Sequence, residues 1–198
     1  DSEGAEIEGS PFTSDENGEI LTKVLPGKYT IEELILKDSL YHCTSVNPQA
    51  VTIAQGQTAE VTFTNALRPG KITLDKVDIK GNSLAGATFL LEWSEDGSIW
   101  WPIEYSDSET VEEGCCSNPN VVDGLLTTGS DGKLEWDNLH PGLQYRLTET
   151  ATKNGYQLLA GHAYQGKLPM DRDLTVSIRV VNAEKFTLPN TGSQSLML

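Results

Sequence analysis

An amine, a carboxylic acid and a carboxamide each close a row of apolar residues in this sequence, and the three together can make an amide bond. In KITLDKVD (Lys71–Asp78), Ile72, Leu74 and Lys76 share one face of a period-two strand. In LQYRLTET (Leu143–Thr150), Tyr145, Leu147 and Glu149 share one face, and Arg146 and Thr148 the other. In VSIRVVN (Val176–Asn182), Ile178, Val180 and Asn182 do the same. A polar or charged group sent into an apolar interior is costly unless it is paired, so each needs a partner or a task.

The chemistry follows from desolvation. Burial disfavours the ammonium form of Lys76 and leaves a nucleophilic amine. Glutamic acid, in its protonated form, can hydrogen-bond the Asn182 carbonyl, polarise it and pass protons. The product is an amide between Lys76 and Asn182 with loss of ammonia, formed once and not turned over.

The elements that must position these groups are strands. Lys71–Ile79 reads as one strand, Lys80–Asn82 as a turn and Ala87–Trp93 as the next strand. The DKVD strand, the GNSLAGATF turn and strand, the YRLTETATKNGY box and the final VVN resemble the B-type, prealbumin-like domains of Gram-positive collagen adhesins and sortase-assembled pilins. The resemblance implies an all-β fold of prealbumin/Ig-like β-sandwiches. It also implies an internal isopeptide bond between Lys76 and Asn182, assisted by Glu149. The box departs from the family's usual form at Lys153, where proline is common.

A second copy of the plan lies upstream. PFTSDENGEILTKVLPGKYTIEEL matches TTGSDGKLEWDNLHPGLQYRLTET: Gly18 with Gly132, Leu25 with Leu139, Glu33 with Glu149. Asn65 in VTFTN matches Asn182, and the offsets stay near about 114 to 117 residues, as tandem copies require. Tyr29, Ile31 and Glu33 are expected on one strand face, and Val61, Phe63 and Asn65 to alternate inward. The lysine strand of this copy is expected upstream of residue 1, which leaves Glu33 and Asn65 as an incomplete or degenerate site. Lys23, Lys28 and Lys37 sit by turns or in exposed-looking segments.

Residues 1–68 thus read as the C-terminal part of a first sandwich, tandem to a complete one over 69–186, with ALRPG as a short linker. An elaborated loop or extra hairpin over 94–133 carries Trp100, Trp101, an acidic run from Asp107 to Glu113, Cys115 and Cys116. Its tryptophans are expected to pack beneath the loop. Its carboxylates lack an EF-hand spacing and read as a solvated acidic loop, so no metal and no cofactor is expected.

The 198 residues carry a formal net charge of -15, which argues against nucleic acid as a partner and suits an exported surface. Cys43, Cys115 and Cys116 have no CxxC spacing; a vicinal bridge, a longer-range pair and free thiols all remain open. No apolar run of about 20 residues spans a membrane. The start, DSEGAEIEGS, reads as the middle of a domain, and SLML as the first residues of an apolar run. His42, His140 and His162 are scattered and no GxSxG or HExxH is present, which argues against a turnover enzyme.

Residues 187–198 hold Leu188, Pro189, Asn190, Thr191 and Gly192, which match the LPxTG motif of cell-wall sorting signals. The resemblance implies a sortase substrate cleaved between Thr191 and Gly192. Thr191 would then pass to an amine of peptidoglycan or of a neighbouring pilin subunit, which anchors the protein covalently at the cell surface. The function expected is a structural stalk or pilin module. The alternative is an adhesin module that binds a host protein or glycan through the 94–133 loop.

Overall fold

The computed structural model describes residues 6–170 and 173–186. The LPNTG motif lies outside these described residues. The chain divides into two compact units, 1–66 and 67–198, with the boundary inside ALRPG.

In the second unit the alternation of KITLDKVD does what period two requires. Strand β5 (Gly70–Asp78) buries Ile72, Leu74 and Lys76. Burying a Leu or Ile side chain is worth about 1.5–3 kcal/mol, enough to fix which face turns inward. On the other face Lys71 pairs with Asp137 at 2.8 Å and Glu135 at 3.4 Å. β5 lies between β11 (Lys133–Leu139) and β14 (Thr175–Asn182) in a three-stranded sheet, antiparallel to the first and parallel to the second.

The other sheet runs in the order β10 (Leu125–Thr127), β6 (Thr88–Ser94), β12 (Gln144–Ala151), β13 (His162–Lys167), with β7 (Trp101–Pro102) also paired to β6. Phe89 and Leu91 from β6, and Tyr145 and Leu147 from β12, are fully buried, as are Ile72 and Trp136 from the first sheet. The two sheets form a β-sandwich around this core.

The 94–133 segment is built of short strands. It contains β7, β8 (Glu104–Tyr105), β9 (Cys115–Cys116) and β10, with β8 parallel to β9 and Ile103 fully buried between β7 and β8. The expectation that its tryptophans pack beneath it holds only in part. Trp100 is half-buried, its indole donates to the Gly97 carbonyl at 3.1 Å, and the Arg146 guanidinium lies 4.5 Å from its ring. Trp101 is 56% exposed, on the two-residue strand β7, whose residues are both exposed. All three cysteines are free thiols, and burial pushes those of Cys115 and Cys116 upward.

The first unit is built differently. Strand β1 (Gly27–Ile31) pairs antiparallel with β3 (Gln49–Ile53), and β2 (Tyr41–Cys43) pairs with β4 (Asn65–Leu67). None of its described residues is buried. Leu25 is 80% exposed whereas its counterpart Leu139 is fully buried. Ile31 is exposed, Val61 and Phe63 are half-buried outside any strand, and Asn65 is exposed at the start of β4. These departures from the expected alternation share one cause: among the described residues the unit has two two-stranded ribbons and no larger sheet against which an apolar face could be buried.

Candidate amide-forming site

Lys76, Glu149 and Asn182, named from three separate strands, meet in the second unit. Each is at most 2% exposed. β14 lies beside β5 with Val180 opposite Lys76 and Asn182 opposite Asp78, so Lys76 and Asn182 are neighbours on one face, one pleat apart. Glu149 comes from β12 in the facing sheet and points between the layers.

Two backbone features hold the lysine strand in place. The Lys76 N–H donates to the Gly132 carbonyl at 2.8 Å, and Leu84 N–H donates to the Lys76 carbonyl at 2.9 Å. Gly132 has φ +71°, and a Cβ there would lie 2.5 Å from the Lys76 carbonyl oxygen, so the turn between β10 and β11 can approach β5 only with glycine.

The Lys76 ammonium nitrogen donates to the Val77 carbonyl at 3.2 Å and the Val180 carbonyl at 3.5 Å, and lies 4.0 Å from Glu149 Oε1. Desolvation lowers its pKa below the ordinary 10.5; the Glu149 and Asp78 carboxylates oppose that shift without cancelling it.

Glu149 Oε1 accepts from Asn182 Nδ2 at 2.8 Å, and Oε2 accepts from the Leu159 backbone N–H at 2.7 Å. The same oxygen therefore bonds the Asn182 nitrogen and lies 4.0 Å from the Lys76 nitrogen. This differs from the arrangement anticipated from sequence, in which the acid donates to the Asn182 carbonyl. Asn182 Oδ1 is instead buried with no hydrogen-bond partner among the described residues.

The site also holds a residue that strand periodicity does not reveal. Thr152 Oγ1 accepts from Asn182 Nδ2 at 2.7 Å. The β12–β6 register slips between Glu149 and Ala151. That bulge adds one residue to the row, so inward parity passes from Glu149 to Thr152 and skips Ala151, which is exposed.

In the first unit Asn65 Nδ2 donates to Glu33 Oε1 at 2.8 Å, the same contact and distance as in the second. Glu33 Oε2 is buried without a partner among the described residues. No lysine among the described residues forms an ion pair with Glu33. Lys23, Lys28 and Lys37 are all exposed.

Comparison with known proteins adds to this geometry. A search of curated proteins found no match. Among solved structures, the chain is 26% identical to the group B streptococcus pilus 2b backbone protein, covering 69% of this chain and 44% of that one at a TM-score of 0.43. It is 26% identical to a streptococcal ancillary pilin, covering 87% and 46% at a TM-score of 0.42. The Bacillus anthracis TIE protein is 18% identical, with 80% of this chain and 25% of that one covered at a TM-score of 0.51, a likeness of fold. The chain thus spans less than half the length of each of these proteins. The model of the SpaA prealbumin-like fold domain matches residues 70–183, which run from the first residue of β5 to just past the end of β14 and include Lys76, Glu149 and Asn182. That match covers more than half of the chain, which accordingly belongs to the SpaA prealbumin-like domain family.

Proposed function

We propose that the chain is a structural module, a stalk or pilin segment of a cell-wall-anchored Gram-positive surface protein, whose second unit joins Lys76 to Asn182 by an autocatalytic isopeptide bond. The observation that carries this reading is the position of Glu149 Oε1, 2.8 Å from Asn182 Nδ2 and 4.0 Å from Lys76 Nζ. The neutral Lys76 amine attacks Asn182 Cγ and forms a new C–N bond. Glu149 takes the proton that Nζ sheds and delivers it to Nδ2, the Cγ–Nδ2 bond breaks, and ammonia leaves. One proton moves, one bond forms and one breaks. Glu149 ends as it began.

Such a module is not a turnover enzyme. Its partners on this reading are sortase, acting at Thr191–Gly192, and the peptidoglycan or pilin-subunit amine that receives Thr191. Glu33 and Asn65 have the same contact and, in this reading, are the acid and carboxamide of a second site that awaits a lysine. Intact mass under reducing conditions tests the proposal: amide formation lowers it by about 17 Da relative to sequence, a covalent change that sequence alone does not show. The deficit is expected in the native chain and absent in Lys76→Ala. A native mass equal to sequence overturns the bond.

One observation favours a second reading, an adhesin surface on the 94–133 segment. Trp101, Ile99 and Tyr105 are exposed there at 56, 63 and 46%. Binding screens against host matrix proteins and glycans, comparing the whole chain with a version shortened in this segment, test it. No difference between the two removes this reading.

A further inference from the structure

The hydroxyl of Thr152 meets the reacting carboxamide on the nitrogen that must depart. Asn182 Nδ2 carries two hydrogens, and both are engaged: one by Glu149 Oε1 at 2.8 Å, the other by Thr152 Oγ1 at 2.7 Å. The terminal torsion of asparagine is broad and soft, so a single hydrogen bond leaves the carboxamide plane free to swing. Two bonds on one nitrogen, to two different side chains, fix it.

The plane matters because an amine adds to a carbonyl carbon from above the plane, and a misplaced near-attack geometry costs large factors in rate. It matters also because a carboxamide rotated by half a turn would remove the departing nitrogen from Glu149 and present the oxygen there. We propose that Thr152 orients the Asn182 carboxamide for amide formation, holding Nδ2 on Glu149 and the Cγ face open to Lys76. The inference rests on the isopeptide reading above and adds a fourth residue to it.

The backbone supports this role for the hydroxyl. The bulge after Glu149 gives Thr152 its inward parity. The segment that follows is laced to the residues just beyond Asn182: Gln157 N–H donates to the Ala183 carbonyl at 2.8 Å, and Lys185 N–H to the Gly155 carbonyl at 2.7 Å. Tyr156 and Glu184 form an isolated bridge between the same two segments. Leu159 N–H holds Glu149 Oε2 at 2.7 Å. One short stretch of chain thus positions the acid, the hydroxyl and the strand that ends in Asn182.

The test is the rate of ammonia loss in the full chain, made in a short cell-free synthesis, stopped, and followed by intact mass over time. Thr152→Val keeps the β-branched shape and removes the hydroxyl, and is expected to slow the loss about tenfold, the effect of one hydrogen bond on a reacting group. Thr152→Ser restores the hydroxyl and is expected to react within about twofold of the native rate. A merely structural role would lower stability and leave the rate of folded chains unchanged. Denaturation midpoints of both variants in a Lys76→Ala background, where no bond can form, separate the two effects.

A native rate in Thr152→Val overturns the proposal, as does a Thr152→Ser chain as slow as Thr152→Val. If the valine variant does not fold, Thr152→Ala provides the same comparison. A native chain that never loses mass, indistinguishable from Lys76→Ala, overturns the isopeptide bond itself. A native chain that loses ammonia while the Thr152 variants keep pace removes only the role of Thr152.

Discussion

Lys76 and Asn182 stand one pleat apart on parallel neighbouring strands, Lys76 opposite Val180 and Asn182 opposite Asp78, while Glu149, buried beside both, comes from the opposite sheet. Two strands bring the amine and the carboxamide together, and the packing of the layers brings the carboxylic acid. Changes that spare the reactants but alter the acid or the packing should therefore separate assembly of the site from its chemistry.

Glu149→Gln keeps a side-chain oxygen able to accept from Asn182 Nδ2 but has no carboxyl to carry a proton. The expected outcome is a folded chain, with native-like circular dichroism, whose mass equals its sequence. A 17 Da deficit of about native extent in this variant would reduce Glu149 to a packing residue.

The pH dependence has a definite sign. Burial holds the Lys76 amine below 10.5, so before the bond forms the folded chain binds this proton less readily than the unfolded chain does. Between the lowered value and 10.5 the unfolded state carries more protons, and stability rises with pH. An Asn182→Ala chain, which retains the amine and cannot form the amide, is expected to show that rise in urea denaturation, and a Lys76→Met, Asn182→Ala chain to lack it. The rate of amide formation should climb in the same direction and level off below 10.5, because only the neutral amine attacks.

Gly132→Ala places a methyl group 2.5 Å from the Lys76 carbonyl oxygen at a φ of +71°. Backbone cannot yield as a side-chain tip can, so a loss of about 2 kcal/mol or more is expected in chemical denaturation of the Lys76→Ala chain. A change within about 0.5 kcal/mol would mean that the turn relaxes away from β5.

Arg146 is held from two directions. Its guanidinium donates to both oxygens of Glu92, at 2.9 and 2.8 Å, directly across the β12–β6 pair, and lies over the Trp100 ring. The pair is partly exposed, at 23 and 14%, which screens it, so Arg146→Ala is expected to cost about 1–2 kcal/mol with a change in tryptophan emission. Glu92→Gln should account for part of that loss, and the remainder, from a double-mutant cycle, belongs to the ring contact.

Limited proteolysis should act first on residues 6–66, where no described side chain is buried, and leave a fragment beginning close to Leu67. Mass spectrometry of the products identifies the boundary. Early cleavage inside residues 70–183 would contradict the stability inferred from the second unit's core.

The sequence reveals the second unit's site because its residues obey strict alternation. Ile72, Leu74 and Lys76 turn inward together, as do Tyr145, Leu147 and Glu149, and a buried charge at the end of such a row stands out. Thr152 escapes the same reasoning because a register slip cannot be read from residue types, and one extra residue reverses the parity of all that follow. The Leu159 N–H on Glu149 escapes it too, since a backbone donor has no residue type. In the first unit the pattern of Tyr29, Ile31 and Glu33 is as regular as in the second, yet Ile31 is exposed. Periodicity states which side chains would share a buried face, and burial needs a second layer. Between Trp93 and Leu134 short strands replace long ones, and strands of two or three residues have too few alternations to show a period.

The parallel pairing of β5 with β14 has a consequence for how such units combine. When the first and last strands of a domain lie antiparallel, the chain leaves at the pole where it entered. Here both run the same way, from Lys71 beside Thr175 to Asp78 beside Asn182, and the chain leaves at the opposite pole. The 8 residues of β14 alone amount to about 25 Å of travel between the poles. Such a unit presents its two chain ends at opposite poles, so a neighbour joined at one end leaves the other end free.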